Sequence, residues 1–192
     1  MKRLLPLLLT ALPFAAQAAP AFLPTHDVTV VYSVAVPQQQ PLRATLSYQA
    51  DSGLTRLDSP FGYYVLGNVQ EGSATLVLPS LHALVRAPDF ALLATELHHL
   101  DGASFTKLGT RHYAGLACTL YGLSDADGHG QVCLTRDGVV LRFTGHNARG
   151  TADVTALSVS SDPVEDDLFA PPAGYTPLEL PAGTLNALLN PQ

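Results

Sequence analysis

Val28-Thr29-Val30-Val31-Tyr32-Ser33-Val34-Ala35-Val36 and, after residues 37–41, Leu42-Arg43-Ala44-Thr45-Leu46-Ser47-Tyr48 decide the fold. Val28, Val30, Tyr32, Val34 and Val36 fall on every second position of the first run. Leu42, Ala44, Leu46 and Tyr48 do so in the second, opposite Arg43, Thr45 and Ser47. A period of two is the mark of a β-strand with one buried face and one wet face. Pro37 and Pro41 frame the turn between the two runs.

The same period continues outward. Asp51-Ser52-Gly53 turns the chain into residues 54–58. After Pro60 come residues 61–66 and a Gly67-Asn68 turn signal. Ala74, Leu76 and Leu78 alternate, as do Leu81, Ala83 and Val85. Asp137-Gly138 is a two-residue hairpin turn into Val139, Leu141 and Phe143, and residues 152–160 give a further strand. One segment breaks the pattern. Pro88-Asp89 opens a stretch with Phe90, Leu93, Leu97 and Leu100 at spacings of three and four, stopped by Asp101-Gly102. Pro suits the first helical turn and Asp the positive helix end, so residues 88–100 are expected to form an amphipathic helix. A second short helix is expected at residues 182–189. A sheet this wide must curl or cover one face with a helix. The expected fold is mainly β (α+β): a strongly curled antiparallel sheet of about ten strands forming a half-barrel around one central helix.

Composition sets the outer bounds. The 192 residues make one domain. With 47% hydrophobic and 14% charged residues, the chain is not disordered. A net charge of −6 argues against a nucleic-acid partner, which needs a basic stripe. Lys2 and Arg3 precede an apolar run broken by Pro6 and Pro13, and Ala16-Gln17-Ala18 offers small residues at the cleavage positions. This pattern is that of a secretory signal peptide cut after Ala18. The alternative, a membrane anchor, needs about 20 apolar residues, and the run is well short of that. The expected organisation is a signal peptide at 1–18, a half-barrel domain at 19–180 and a C-terminal tail at 181–192, in a periplasmic, not membrane-spanning protein.

That address governs the two cysteines, Cys118 and Cys133. They flank a polar, Gly-rich turn at residues 124–130, between runs that look like strands. Across such a hairpin the sulfurs face each other, and an oxidising compartment joins them. A redox-active pair has the closer C-x-x-C spacing.

Several stretches carry a resemblance. Arg56-Leu57-Asp58 before Gly62-Tyr63-Tyr64-Val65-Leu66, Leu76-Val77-Leu78-Pro79, and Leu108-Gly109 followed by residues 113–118 are three of them. Residues 132–142 and Asp167-Leu168-Phe169-Ala170-Pro171-Pro172-Ala173-Gly174-Tyr175 complete the set. Together they resemble the half-barrel family of periplasmic lipoprotein carriers and sensors (LolA/LppX-like). They are closer to its uncharacterised secreted proteobacterial relatives. The resemblance implies a non-enzymatic protein whose partner is a lipid or an acylated lipoprotein.

Motifs of catalysis and metal binding are sparse. Adjacent His98 and His99 point about 100° apart on a helix, a poor pair for one metal. Residues 125–130 begin like a calcium loop, but position 12 would be Arg136 where a Glu is needed. No G-x-S-x-G occurs, and Asp162, Glu165, Asp166 and Asp167 suit an exposed turn before Phe169. No catalytic residue, metal or cofactor is expected. The apolar interior remains, either as a filled core or as a cavity for an acyl chain. Its candidate lining is Val30, Tyr32, Leu46, Tyr64, Leu76, Leu78, Val85, Phe90, Leu93 and Leu97, with Arg43 and Arg56 as candidate head-group contacts. A filled core would instead make the chain an envelope protein-interaction module.

Overall fold

The structure, a computed structural model, describes residues 20–35, 40–86, 104–124, 128–147 and 150–179. Among them twelve strands form one sheet. They are β1 (Val28–Val34), β2 (Leu42–Tyr48), β3 (Leu54–Asp58), β4 (Tyr64–Asn68), β5 (Ser73–Leu78) and β6 (Ala83–Arg86). Then come β7 (Ser104–Tyr113), β8 (Leu116–Ser124), β9 (Gly128–Leu134), β10 (Val140–Asn147), β11 (Gly150–Ser160) and β12 (Thr176–Leu178). The order across the sheet is β12-β6-β5-β4-β3-β2-β1-β11-β10-β9-β8-β7. Two meanders, β1–β6 and β7–β11, are joined by the antiparallel β1–β11 pair. β12 adds to β6 in parallel.

The sheet is thus wider than the expected ten strands, and it is open: β12 and β7 form its two edges. It is also not strongly curled. Curvature enters a sheet at bulges. Here the register slips only at Val31/Tyr32, Val140/Arg142 and Lys107/Gly109. From β2 to β6 the register is unbroken. The expected helices at 88–100 and 182–189 lie outside the described residues.

Three local differences from expectation have simple causes. β7 and β12 were not anticipated because as edge strands they are mostly exposed and show no alternation. β4 runs through Gly67-Asn68, and the turn follows it. Asn68 Oδ1 accepts hydrogen bonds from the Gln70 and Glu71 amides, at 2.9 and 3.1 Å, and so shapes that turn. Between β9 and β10 the Thr135 amide donates to the Val139 carbonyl, which makes Arg136-Asp137-Gly138 the loop. Gly138 has φ +92° and lies so close to the Leu23 carbonyl that a Cβ has no room.

Cys118 and Cys133 form a disulfide between β8 and β9, with Cα atoms 5.4 Å apart. Such a bond persists in an oxidising, extracytoplasmic setting. The cysteines belong to a cluster with Val28, Val30, Tyr32, Tyr48, Leu120, Val139 and Leu141. A second cluster holds Val65, Leu76, Leu78, Ala83 and Val85. Residues 161–179 cross the outer face of the first meander. There the 3-10 turn Asp166–Phe169 buries Phe169 against β3.

Asp27 anchors that crossing. Its Oδ2 accepts from the Val164 amide and its Oδ1 from the Ala50 amide, both at 3.0 Å. These bonds, Val164 first, hold its carboxyl below the usual range. A lowered folded pKa contributes stability above the unfolded pKa, and this is lost as pH falls through the folded value. Asp27→Asn is therefore expected to cost about 1 kcal/mol at neutral pH, since the site is partly wet. Urea titrations at neutral pH and near about pH 3 should show this difference shrink in acid.

Candidate ligand-binding groove

Cross-strand register builds one continuous apolar face. Val30, Leu46, Leu57, Val65, Leu76 and Val85 stand side by side from β1 to β6. The next row is Val28, Tyr48, Thr55, Gly67 and Ala74. Its right-hand members are small, and a Cβ on Gly67 would meet Thr55 Oγ1 at 2.6 Å. The step from large to small side chains leaves a hollow. Val139, Val140 and Phe143 of the second meander, with Val154 of β11, wall it on the other side, and Phe22, Leu23 and Pro24 form a lip. The cavity measures ≈ 310 Å³, at the lower end of ligand sites.

Among the described residues, the lining of the hollow carries no charge. No Asp, Glu, Lys, Arg or His is among its lining residues. Tyr32 donates its hydroxyl to the Val140 carbonyl at 2.8 Å. Burial pushes the Tyr32 phenol well up, and burial followed by the Asp27 charge raises that of Tyr48. Both remain neutral phenols. Such a surface holds an apolar body through burial and discriminates against charged groups.

The candidate residues separate in space. Val30, Tyr32 and Leu46 line the cavity. Leu76, Leu78 and Val85 lie beyond it in the second cluster. Tyr64 stands on the other face of the sheet, because its neighbour Val65 faces the hollow. There the Arg56 guanidinium lies 3.9 Å over the Tyr64 ring. Arg56 also pairs with Asp58 at 2.8 Å and donates to the Leu168 carbonyl at 3.1 Å. It is therefore committed to the outer face and does not meet a head group in the hollow. Arg43 is exposed on the same side as Ser33, away from Leu46. Phe90, Leu93 and Leu97 lie outside the described residues. Sequence reasoning missed Phe22–Pro24, because a lip of three residues has no period to detect. It also missed the small Gly67 and Ala74, which make the hollow by what they lack.

The lip is fastened at one end. The Thr25 amide donates to the Asp137 carbonyl at 3.0 Å. His26 Nδ1 lies 3.3 Å from Asp137 Oδ2, and its Nε2 lies 3.1 Å from Ser161 Oγ. Elsewhere His129 and His146 stand opposite each other on β9 and β10, with ring centroids 5.9 Å apart. Among the described residues no group of three His, Cys, Asp or Glu side chains is placed to hold a metal ion. None of the described helices is long and apolar enough to cross a membrane.

No family model and no curated protein matches the sequence. Solved structures do match the fold. A conserved uncharacterised protein from Thermus thermophilus aligns at TM-score 0.59 and 13% identity, over 81% of this chain and 91% of that one. Pseudomonas aeruginosa MucB, solved in complex with MucA, aligns at TM-score 0.55 and 12% identity over 77% of this chain. The match spans only 56% of that chain. A LolA superfamily protein from Nitrosomonas europaea aligns at TM-score 0.39 and 12% identity, over 77% of this chain and 91% of that one. At these identities the likeness is one of fold alone.

Proposed function

We propose that this chain is a periplasmic protein whose groove binds the acyl chain of a lipid or of an acylated lipoprotein. The observation that supports it is the ≈ 310 Å³ uncharged hollow built by the two sheet rows and the lip. In this reading residues 1–18 are removed on export, 19–180 are the binding domain and 181–192 a tail. The groove acts by burial, and holding a ligand there calls for no chemistry. A second reading, an envelope protein-interaction module, draws support from the fold shared with MucB, which was solved bound to MucA. It assigns the apolar face to a protein partner.

Displacement of a fluorescent fatty acid separates the two. Ala74→Trp puts an indole into the hollow and should weaken binding by about tenfold or more. Arg43→Ala, on the far side of β2, should leave binding within about twofold. If the wild type binds no fatty acid, the carrier reading fails and the interaction module stands.

A further inference from the structure

Asp137, His26 and Ser161 stand in line at the fastened end of the lip. Carboxylate, imidazole and hydroxyl touch in that order, at 3.3 and 3.1 Å. They come from three separate segments: the β9–β10 loop, the stretch before β1 and the residue after β11. Asp137 on Nδ1 favours the tautomer whose Nε2 accepts a proton from the serine hydroxyl. A hydrogen bond from the Thr135 side chain keeps the Asp137 carboxyl below its usual range, so it remains an anion. Ser161 is exposed. None of the three lines the cavity, but their neighbours do. Pro24 and Gly138, two and one residues from His26 and Asp137, belong to its lining. The register that pairs Thr29 with Ser160 brings Ser161 abreast of Val28, another lining residue.

We propose that Ser161, His26 and Asp137 form a hydrolytic triad that cleaves carboxylic esters whose acyl chain lies in the groove. This departs from the purely binding protein expected from the sequence. The substrate class rests on the groove reading; the triad itself does not. Ser161 Oγ attacks the acyl carbon while its proton passes to His26 Nε2. The ester C–O bond breaks, and the alcohol leaves with that proton. Water then attacks the acyl-serine, giving its proton to Nε2, and the acid departs as Ser161 takes the proton back. Asp137 is a positioning residue, acting through the imidazole.

The mature protein, purified from the periplasm, is treated with a fluorophosphonate and assayed on p-nitrophenyl acetate and decanoate. Peptide mapping should place the label on Ser161. The decanoate should be preferred in kcat/KM by about tenfold or more. Ser161→Ala should lose the label and about a hundredfold or more in kcat, while still displacing a fluorescent fatty acid. Asp137→Asn should lower kcat with KM within about twofold, which loosening the loop alone would not do. No label on Ser161, or hydrolysis unchanged in Ser161→Ala, overturns the triad, and retained fatty-acid displacement would leave the groove reading intact. Labelling of Ser161 with neither chain-length preference nor fatty-acid displacement supports the triad and overturns its acyl-ester substrate.

Discussion

A Cys118→Ser, Cys133→Ser double variant is expected to lose about 3 kcal/mol of stability. The bond closes a loop of 15 residues between β8 and β9. In the chain-entropy account, that closure removes freedom from the unfolded chain, and loops of this length correspond to about 3 kcal/mol. Both sulfurs are also buried, Cys133 fully, in the cluster that includes Tyr32 and Leu141. Replacing them with hydroxyls adds a polar burial cost of the same sign. Guanidinium titration of the wild type with and without reductant, beside the double variant, measures the loss. Stability within about 0.5 kcal/mol of wild type would show that the second meander is held without the bond.

Leu76→Ala should be as damaging, at about 2–5 kcal/mol. Leu76 has 0% exposure and sits in the middle of β5, between Val65 and Val85. Its removal leaves a void in a cluster outside the groove, with no compensating change in ligand affinity. Leu46→Ala makes the contrast. Leu46 is only partly buried and lines the hollow, so its loss should cost less stability and weaken fatty-acid binding. Urea titration and probe displacement on both variants check the pair. Equal stability losses and unchanged binding would mean that the hollow is packed core.

The strands that could be read in the sequence are those with one dry face. β1 and β2 alternate cleanly because Val30 and Leu46 face the interior while Thr29 and Arg43 do not. β7 could not be read this way, since its Ser104–Tyr113 stretch is an exposed edge and has little to bury. The width and shallow curl of the sheet were hidden for another reason. They depend on which strands meet across the chain, and the β1–β11 pair that joins the two meanders links residues over a hundred positions apart. The disulfide was legible because a hairpin brings its ends together locally. The groove was half legible. Tyr32 and Leu46 were found from their period, and Tyr64 fell on the far face because the turn signal at Gly67-Asn68 gave no register for β4. The lip and the Asp137–His26–Ser161 line join segments distant in sequence, with no motif spacing to announce them.

The claim at the centre is that the hollow between the two meanders holds an acyl chain. Mass spectrometry of lipid released from the protein, purified without denaturant from a periplasmic fraction, tests it most directly. The expected result is an acyl lipid at close to one per chain in the wild type, and its loss in Ala74→Trp. Wild-type protein carrying no lipid above the Ala74→Trp background would contradict it.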